Sequence, residues 1–128
     1  MSHYPFTPGQ GPILVQAEAT GPTRSTSLKF VLDTGATKTL LKRSSLIYIG
    51  IDPEQSTRHI QMITGSTVEV VPVVTLTRLS ALGQHRFGFP VVAHTMPKNA
   101  AVDGLLGLDF LRGLHLSIDF RTSQITLI

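Results

Sequence analysis

The chain has 128 residues, of which 41% are hydrophobic, and its formal charge is +3 from 11 basic and 8 acidic residues. This length corresponds to about one domain with enough apolar content for a core. The basic residues are scattered, which argues against a nucleic-acid partner, and the absence of cysteine excludes a disulfide scaffold and a thiol nucleophile.

The first part of the chain predicts an arm followed by a β-hairpin. Residues 1–12 contain three prolines and two glycines, so we expect a flexible N-terminal arm and a folded domain over residues 13–128. Residues 13–20 alternate between apolar and polar and are predicted as a strand. After a polar turn, the apolar run at residues 28–32 predicts a second strand, which ends directly at Asp33.

The segment after this hairpin carries weaker patterns. Residues 39–41 are predicted as a short strand. Residues 42–49 are predicted to form one or two helical turns that end at Gly50, although β-branched residues weaken this helix. A turn is expected at residues 52–54.

The middle of the chain predicts a long hairpin. Two β-branched, apolar runs lie at residues 57–63 and 68–82, and the tripeptide Thr64-Gly65-Ser66 separates them. A short polar turn with a central glycine is typical of a hairpin tip. Pro72 lacks a backbone donor, so we expect a bend or a sheet edge there.

The last part of the chain predicts short strands around a small helix. We expect strands at 86–93, 102–106, 114–120 and 124–128, a loop at 95–101, and a helix at 108–112 that Gly113 stops. Gly88 and Pro90 predict irregular pairing in the first of these strands. Many short strands with few helices indicate a mainly antiparallel β domain.

Two stretches of the sequence stand out chemically. The run Phe30-Val31-Leu32-Asp33-Thr34-Gly35-Ala36 delivers a carboxylate from an apolar strand into a tight turn. A carboxylate in this position is costly to desolvate unless something pairs with it. The second stretch, at residues 104–111, reads Gly-Leu-Leu-Gly-Leu-Asp-Phe-Leu.

Together, these stretches resemble the aspartic proteases of the retropepsin-like family, which includes retroviral, retrotransposon, DNA-damage-inducible and bacterial members. The order of active-site loop, flap hairpin, hydrophobic-glycine element, short helix and C-terminal strand is similar. The resemblance implies a mainly β, single-domain acid-protease fold, a closed antiparallel barrel with one or two short helices. Because one chain carries a single Asp-Thr-Gly, it also implies a two-fold homodimer.

The resemblance also implies roles for individual residues. The catalytic set comprises Asp33, Thr34 and Gly35. The residues expected to bind substrate are Leu32, Ala36, Thr37, Thr64, Gly65, Ser66, Leu105 and Leu106, although Leu105 and Leu106 are equally consistent with ordinary core. The hairpin tip corresponds to the flap that covers a bound peptide.

The function that follows is that of an aspartic endopeptidase. Two carboxylates, Asp33 from each protomer, would share one proton and activate a water against peptide bonds in extended, apolar-flanked segments. A catalytically inactive dimerisation or peptide-binding module of the same fold is the alternative. A glycosidase with two carboxylates is a distant third hypothesis, because no second acid has a similar context.

The remaining polar residues predict no cofactor. The five histidines are dispersed without ligand spacing, so no metal is expected. The pattern Gly104-x-x-Gly107 lacks the lysine of a phosphate loop. Asp109 is interpreted as a first-turn helix residue that the helix dipole favours. Ile125 and Ile128 are equally consistent with ordinary core or with an intersubunit sheet.

The sequence favours a cytoplasmic protein without a membrane partner. The N-terminus lacks a basic region followed by an apolar run, so we expect no secretory signal. No apolar stretch approaches the about 20 residues of a membrane-spanning helix. The absence of cysteine also suits a reducing compartment.

Overall fold

Two β-sheets form most of the protein, and the computed structural model describes residues 1–9, 11–96 and 101–128. The elements are β1 (Ser2–Pro5), β2 (Leu14–Thr20), β3 (Ser25–Leu32), β4 (Leu40–Lys42), α1 (Arg43–Tyr48), β5 (Arg58–Thr64), β6 (Thr67–Ala81), β7 (Gln84–His94), β8 (Gly104–Leu106), α2 (Leu108–Leu111), β9 (Leu116–Asp119) and β10 (Gln124–Leu127).

Six strands close into a barrel. Their order is β2-β3-β8-β4-β7-β6, and β6 returns to β2 because residues 78–81 pair with residues 17–20. The predicted mainly β, single-domain barrel is therefore confirmed. The barrel, which we expected to be antiparallel, also contains two parallel pairs, β3 with β8 and β4 with β7. Long stretches of chain separate both pairs, and parallel neighbours need such long connections.

The core lies inside this barrel and follows the alternation of the strands. In β2, Val15, Ala17 and Ala19 are buried while their neighbours are more exposed. Phe30, Leu106 and Phe110 are among the fully buried side chains. Full burial of a side chain of this size stabilises the fold by about 1.5–3 kcal/mol. These residues therefore anchor β3, β8 and α2 together beneath the Asp33 turn.

The predicted hairpin is present as β5 and β6. Thr64 pairs with Thr67, so Gly65 and Ser66 form the turn, and Gly65 has a φ of 60°. A two-residue hairpin turn of the favoured type needs positive φ, which glycine adopts without strain. Pro72 lies in the part of β6 that pairs with β5 before pairing with β7 begins at Val73. The expected edge position is thus confirmed.

The predicted helices are present with small shifts. Helix α1 ends before Gly50, whose φ is 97°, and α2 ends before Gly113, whose φ is 83°. The expected turn at residues 52–54 is a 3-10 helix over Pro53–Gln55, which the Asp52 side chain caps by accepting from the Glu54 N–H at 3.0 Å.

The strands of the second half differ from the prediction mainly in length. Strand β7 begins at Gln84, and its regular pairing with β6 omits Gly88, whose φ is 58°. Pro90 pairs normally with Thr75, so only the glycine causes the expected irregularity. Strand β8 begins at Gly104, two residues later than predicted. Within the predicted loop at 95–101, residues 97–100 lie outside the described residues.

The N-terminal segment departs from the expected flexible arm. Residues 2–5 form β1, which pairs antiparallel with β10, and Phe6 N–H donates to the Ser123 carbonyl at 3.0 Å. Tyr4 packs against the core. The breakers that suggested an arm begin only at Pro5, so the preceding residues are free to extend along the edge of β10.

The C-terminal strands complete this three-stranded sheet. Strand β10 lies between β1 and β9, so both of its edges are paired within one chain. Ile125 is fully buried, whereas Ile128 is exposed. Ile125 is therefore a core residue in the single chain.

The turn between β9 and β10 is stabilised around Asp119. Hydrogen bonds from the backbone N–H groups of Thr122 and Arg121 hold the pKa of the Asp119 carboxyl below its usual range.

Candidate active site

Asp33 lies where β3 ends beside β8. Val31 pairs with Leu105 and Leu32 with Leu106 in the parallel register. Asp33 N–H then donates to the Leu106 carbonyl at 3.0 Å. The fold therefore brings together the two stretches that the sequence singled out, and the carboxylate follows directly on a buried strand.

A tight turn orients the Asp33 carboxylate. Gly35 N–H donates to Asp33 Oδ1 at 2.9 Å, and Ala36 N–H donates to the Asp33 carbonyl at 3.2 Å. A Cβ at Gly35 would lie 3.2 Å from Oδ1, which is tighter than an ordinary contact. Among the residues that the structure describes, no other donor reaches this half-buried carboxylate. One oxygen is therefore held by the backbone and the other is available.

A buried threonine and a carboxylate brace the loop after Asp33. Thr39 is fully buried, and its hydroxyl donates to Asp109 Oδ1 at 2.6 Å. Thr39 N–H also donates to both carboxylate oxygens, at 2.9 and 3.0 Å. The Thr39 hydroxyl in turn accepts from Gly107 N–H at 3.1 Å. These bonds connect the loop to the start of α2.

Backbone hydrogen bonds tighten the same connection. Leu108 N–H donates to the Ala36 carbonyl at 2.8 Å, and Asp109 N–H donates to the Thr37 carbonyl at 3.2 Å. Gly107 permits this close approach, because a Cβ there would lie 2.7 Å from the Lys38 carbonyl carbon. The loop after Asp33 is thus held along its length, as a preorganised site would require.

Sequence reasoning missed this brace. It assigned Asp109 to the helix dipole, and the side chain does accept from Phe110 N–H at 2.9 Å. Its principal partner, however, is Thr39, 70 residues earlier. The available signal was Thr39 itself, a hydroxyl beside the apolar Leu40 and Leu41, because a buried polar side chain needs a partner.

The residues predicted to bind substrate occupy three different environments. Ala36 is half-buried and Thr37 exposed on the catalytic loop. Leu105 is half-buried beside this loop, whereas Leu106 and Leu32 belong to the core. In the single chain, Leu32 and Leu106 therefore support the site from beneath.

The flap tip forms the third environment. Gly65 and Ser66 are exposed, and Thr64 is the last residue of β5. Within the described parts of the chain, no hydrogen bond joins this tip to residues 33–37. The single chain thus holds the Asp33 loop and β8 together, and among the described residues it does not hydrogen-bond the tip to this loop.

One polar contact ties the flap to the barrel. The Glu69 carboxylate, in β6, lies 2.9 Å from His94 Nε2. The other ring nitrogen, His94 Nδ1, lies 2.8 Å from the Thr95 carbonyl oxygen. A carbonyl and a carboxylate both accept hydrogen bonds, so the ring satisfies both when each nitrogen carries a proton. This contact connects the flap strand to the end of β7.

Other acids near the loop already have structural partners. Asp103 pairs with Lys42 at 2.7 Å and accepts from Lys29 N–H at 2.8 Å. Asp33 therefore differs from its acidic neighbours in having a carboxylate oxygen that accepts no hydrogen bond from the described residues.

Two other kinds of feature, a metal-binding cluster and a membrane-spanning helix, are absent from the described residues. No group of three or more of their His, Asp or Glu side chains could hold a metal ion. No helix in these residues is long and apolar enough to cross a membrane.

A sizeable cavity of the described structure lies away from the Asp33 turn. It measures about 730 Å³ and lies among the N-terminal segment, β2 and the β6–β7 turn. None of the predicted site residues lines it. Carboxylate geometry, rather than cavity size, therefore identifies the candidate site.

Comparisons with known proteins agree with this geometry. Residues 21–113 match the family described as gag-polyprotein putative aspartyl protease. The fold is similar to the crystal structure of a retropepsin-like aspartic protease from Rickettsia conorii, with a TM-score of 0.74 and 17% sequence identity over 98% of this chain and 89% of that chain. At this identity, the likeness shows the fold alone. A search among curated proteins gave no significant match.

Proposed function

The chain belongs to the family of gag-polyprotein putative aspartyl proteases, and from this membership we propose that it is an aspartic endopeptidase that works as a two-fold homodimer. The observation that carries the proposal is the Asp33 turn, in which Gly35 N–H holds one carboxylate oxygen at 2.9 Å and leaves the other available. Such a group is suited to proton transfer with a bound water.

The proposed dimer follows from the chemistry. Hydrolysis of an amide without a metal or a side-chain nucleophile needs a base for the water and an acid for the carbonyl oxygen. One chain supplies a single Asp-Thr-Gly loop, and a two-fold axis supplies the second copy. Two carboxylates about 3 Å apart cannot both ionise, so the pair shares one proton and takes both roles.

Each residue of the loop then has a function in the proposed mechanism. The ionised Asp33 accepts a proton from the attacking water, while the protonated Asp33 of the other protomer donates a hydrogen bond to the scissile carbonyl. The proton taken from the water then passes from Asp33 to the nitrogen of the leaving amine as the C–N bond breaks. Thr34, exposed in the single chain, would hydrogen-bond across the axis and align the two turns.

The proposed substrate is an extended peptide. It would lie between the catalytic loop and the flap, and its backbone would pair with both as an additional strand. Ala36 and Thr37 would contact it from the loop, Gly65 and Ser66 from the flap tip. Leu105, half-buried beside the loop, would form part of an apolar wall for the side chains that flank the scissile bond.

The flap tip would close over the bound peptide. It would exclude water from the site, with Thr64 contributing its backbone.

We propose that the enzyme acts in the cytoplasm, where a chain without cysteine suits the reducing conditions.

The decisive experiment is cleavage of a mixed peptide library between pH 3.5 and 7.5 by wild type and by Asp33→Asn. The amide cannot act as a base but has almost the same shape, so we expect activity to fall by at least about 100-fold. Asp52→Asn is the matched control, because Asp52 caps a 3-10 helix away from the loop. Inhibition by pepstatin and the mass of the species in sedimentation complete the test.

The outcomes separate the two candidate functions. A fully active Asp33→Asn would contradict the proposal. A folded, dimeric wild type that binds peptides throughout this pH range without cleaving any of them would indicate instead an inactive peptide-binding module of the same fold.

A further inference from the structure

A small cavity lies beside the catalytic loop, between the loop and the base of the flap. It measures about 80 Å³ and is lined by Lys38, Arg58, Ile60, Val73, residues 89–92 and Asp109. Lys38 follows the catalytic turn on the same loop, and Arg58 begins the first flap strand. We call this cavity the cationic subsite.

Some surface cations have carboxylate partners, whereas the two cations of the subsite have none among the described residues. Lys42, Arg43 and Arg78 each form an ion pair with a carboxylate at 2.6–2.7 Å. Lys38 and Arg58 are exposed, and within the described residues neither forms an ion pair. The protein therefore presents two positive charges at one cavity without neutralising them.

The one carboxylate in the lining is already engaged. Asp109 accepts three hydrogen bonds from Thr39 and one from Phe110 N–H. These donors hold its charge toward the loop and the start of α2. The floor of the cavity is apolar, with Val73, Val91 and Val92 all buried. The subsite thus offers an apolar floor for a side-chain stem and cations for its end.

The position of the subsite connects it to the proposed cleavage reaction. An extended peptide between loop and flap would pass Lys38 on one side and Arg58 on the other. Its side chains would project alternately about every 3.3 Å along the backbone, so one from near the scissile bond would meet the cavity. A volume of about 80 Å³ corresponds to two or three water molecules, at about 30 Å³ each, which suits a single side-chain end.

From these observations, and resting on the proposed peptidase function, we propose that the protein selects substrates with a glutamate or aspartate near the scissile bond, which Lys38 and Arg58 bind. The preference for an acidic side chain would apply to peptide binding as well as to peptide cleavage. An exposed pair contributes modestly, so we expect each cation to favour the acid by about two- to fivefold.

The test compares matched peptides. A cleaved peptide is resynthesised with a single Glu or Gln moved through each position, and kcat/KM is measured for each pair. We expect a Glu preference at one position, falling from 50 to 500 mM salt as screening grows. In the Lys38→Met/Arg58→Met double variant the Glu/Gln ratio of kcat/KM should approach one.

Arg121→Met is the matched control, because Arg121 is an exposed cation in the β9–β10 turn. It should keep the wild-type ratio. Thermal melting of each variant establishes that the fold is intact. An unchanged ratio in the double variant, or no Glu preference at any position, would overturn the inference.

Binding to the Asp33→Asn variant makes the inference separable from the proposed function. Fluorescence anisotropy with labelled Glu and Gln versions of peptides from the mixed library measures selection without cleavage and needs no peptide that has been cleaved. If wild type cleaves nothing but Asp33→Asn binds Glu peptides more tightly than Gln peptides through Lys38 and Arg58, the catalytic proposal fails and the subsite stands. Equal binding of the two peptides, or binding of neither, contradicts the subsite.

Discussion

The most informative single residue after Asp33 is Thr39. Its side chain is fully buried, yet it joins the catalytic loop to the glycine and the carboxylate that begin α2. A buried hydroxyl with both a donor and an acceptor partner stabilises the structure only while both bonds are made. The position of Asp33 therefore depends on a residue that would contact neither water nor substrate.

We predict that Thr39→Val destabilises the protein by about 1–3 kcal/mol. Valine has nearly the same shape but leaves the Gly107 N–H and one Asp109 oxygen without their hydroxyl partner in a buried site. Urea unfolding measures the difference. Thr37→Val is the control, because Thr37 is exposed on the same loop and should change stability by less than about 0.5 kcal/mol. Equal effects of the two substitutions would contradict the assigned role.

At the scale of elements, the hairpin of β5 and β6 is the part of the fold that is least supported. Residues 58–64 pair with β6 alone among the described strands. Ile63 and Val68 face each other near its tip and are 76% and 58% exposed. Few buried contacts mean a low free energy of local opening. The exposed apolar side chains at this tip would gain burial if the proposed peptide bound beneath them.

The contact between Glu69 and His94 is expected to restrain this hairpin. We predict that Glu69→Ala speeds hydrogen exchange of backbone amides in residues 62–70 by roughly two- to fivefold, since one partly exposed hydrogen bond to β7 is lost. Mass spectrometry of exchanged peptides measures this. Glu54→Ala removes a carboxylate contact elsewhere, to Arg43 at 2.7 Å, and should leave exchange in the hairpin unchanged. The same exchange rate in both variants would show that the contact does not hold the flap.

At the scale of the whole molecule, the two chain ends are joined in one sheet. Strand β10 lies between β1 and β9, which leaves no unpaired edge on the C-terminal strand. Paired edges protect a strand from adding to another chain. If the protein dimerises as proposed, either contacts other than β10 must bring the two Asp33 turns together or β1 must first leave its place.

The N-terminal strand provides the test at this scale. We predict that deletion of residues 1–6 lowers the melting temperature by at least about 5 °C, because it exposes β10 and removes Tyr4 and Phe6 from the core surface. Deletion of Met1 alone, which is 84% exposed, is the control. Calorimetry measures both. An unchanged melting temperature would mean that this segment is the flexible arm that its composition suggested.

Patterns within a few residues predicted much of this architecture. The run that ends at Asp33, the hairpin tip at Thr64-Gly65-Ser66 and the helix stops at Gly50 and Gly113 all follow from alternation and from glycine at positive φ. The closed barrel was reached through a family resemblance, since local patterns do not specify which strands are neighbours. Parallel pairing of β3 with β8 in particular has no signal in either strand.

The sequence by itself thus determined which carboxylate ends a buried strand and which tight turn follows it, because these features depend on neighbours along the chain. Only the tertiary structure decided that Asp109 serves Thr39 across 70 residues, that Leu106 is core, and that β1 completes a sheet with β10. The physical reason is that desolvation and pairing depend on what surrounds a group in space. Burial turns Thr39 and Asp109 into obligatory partners, and no local pattern records that burial.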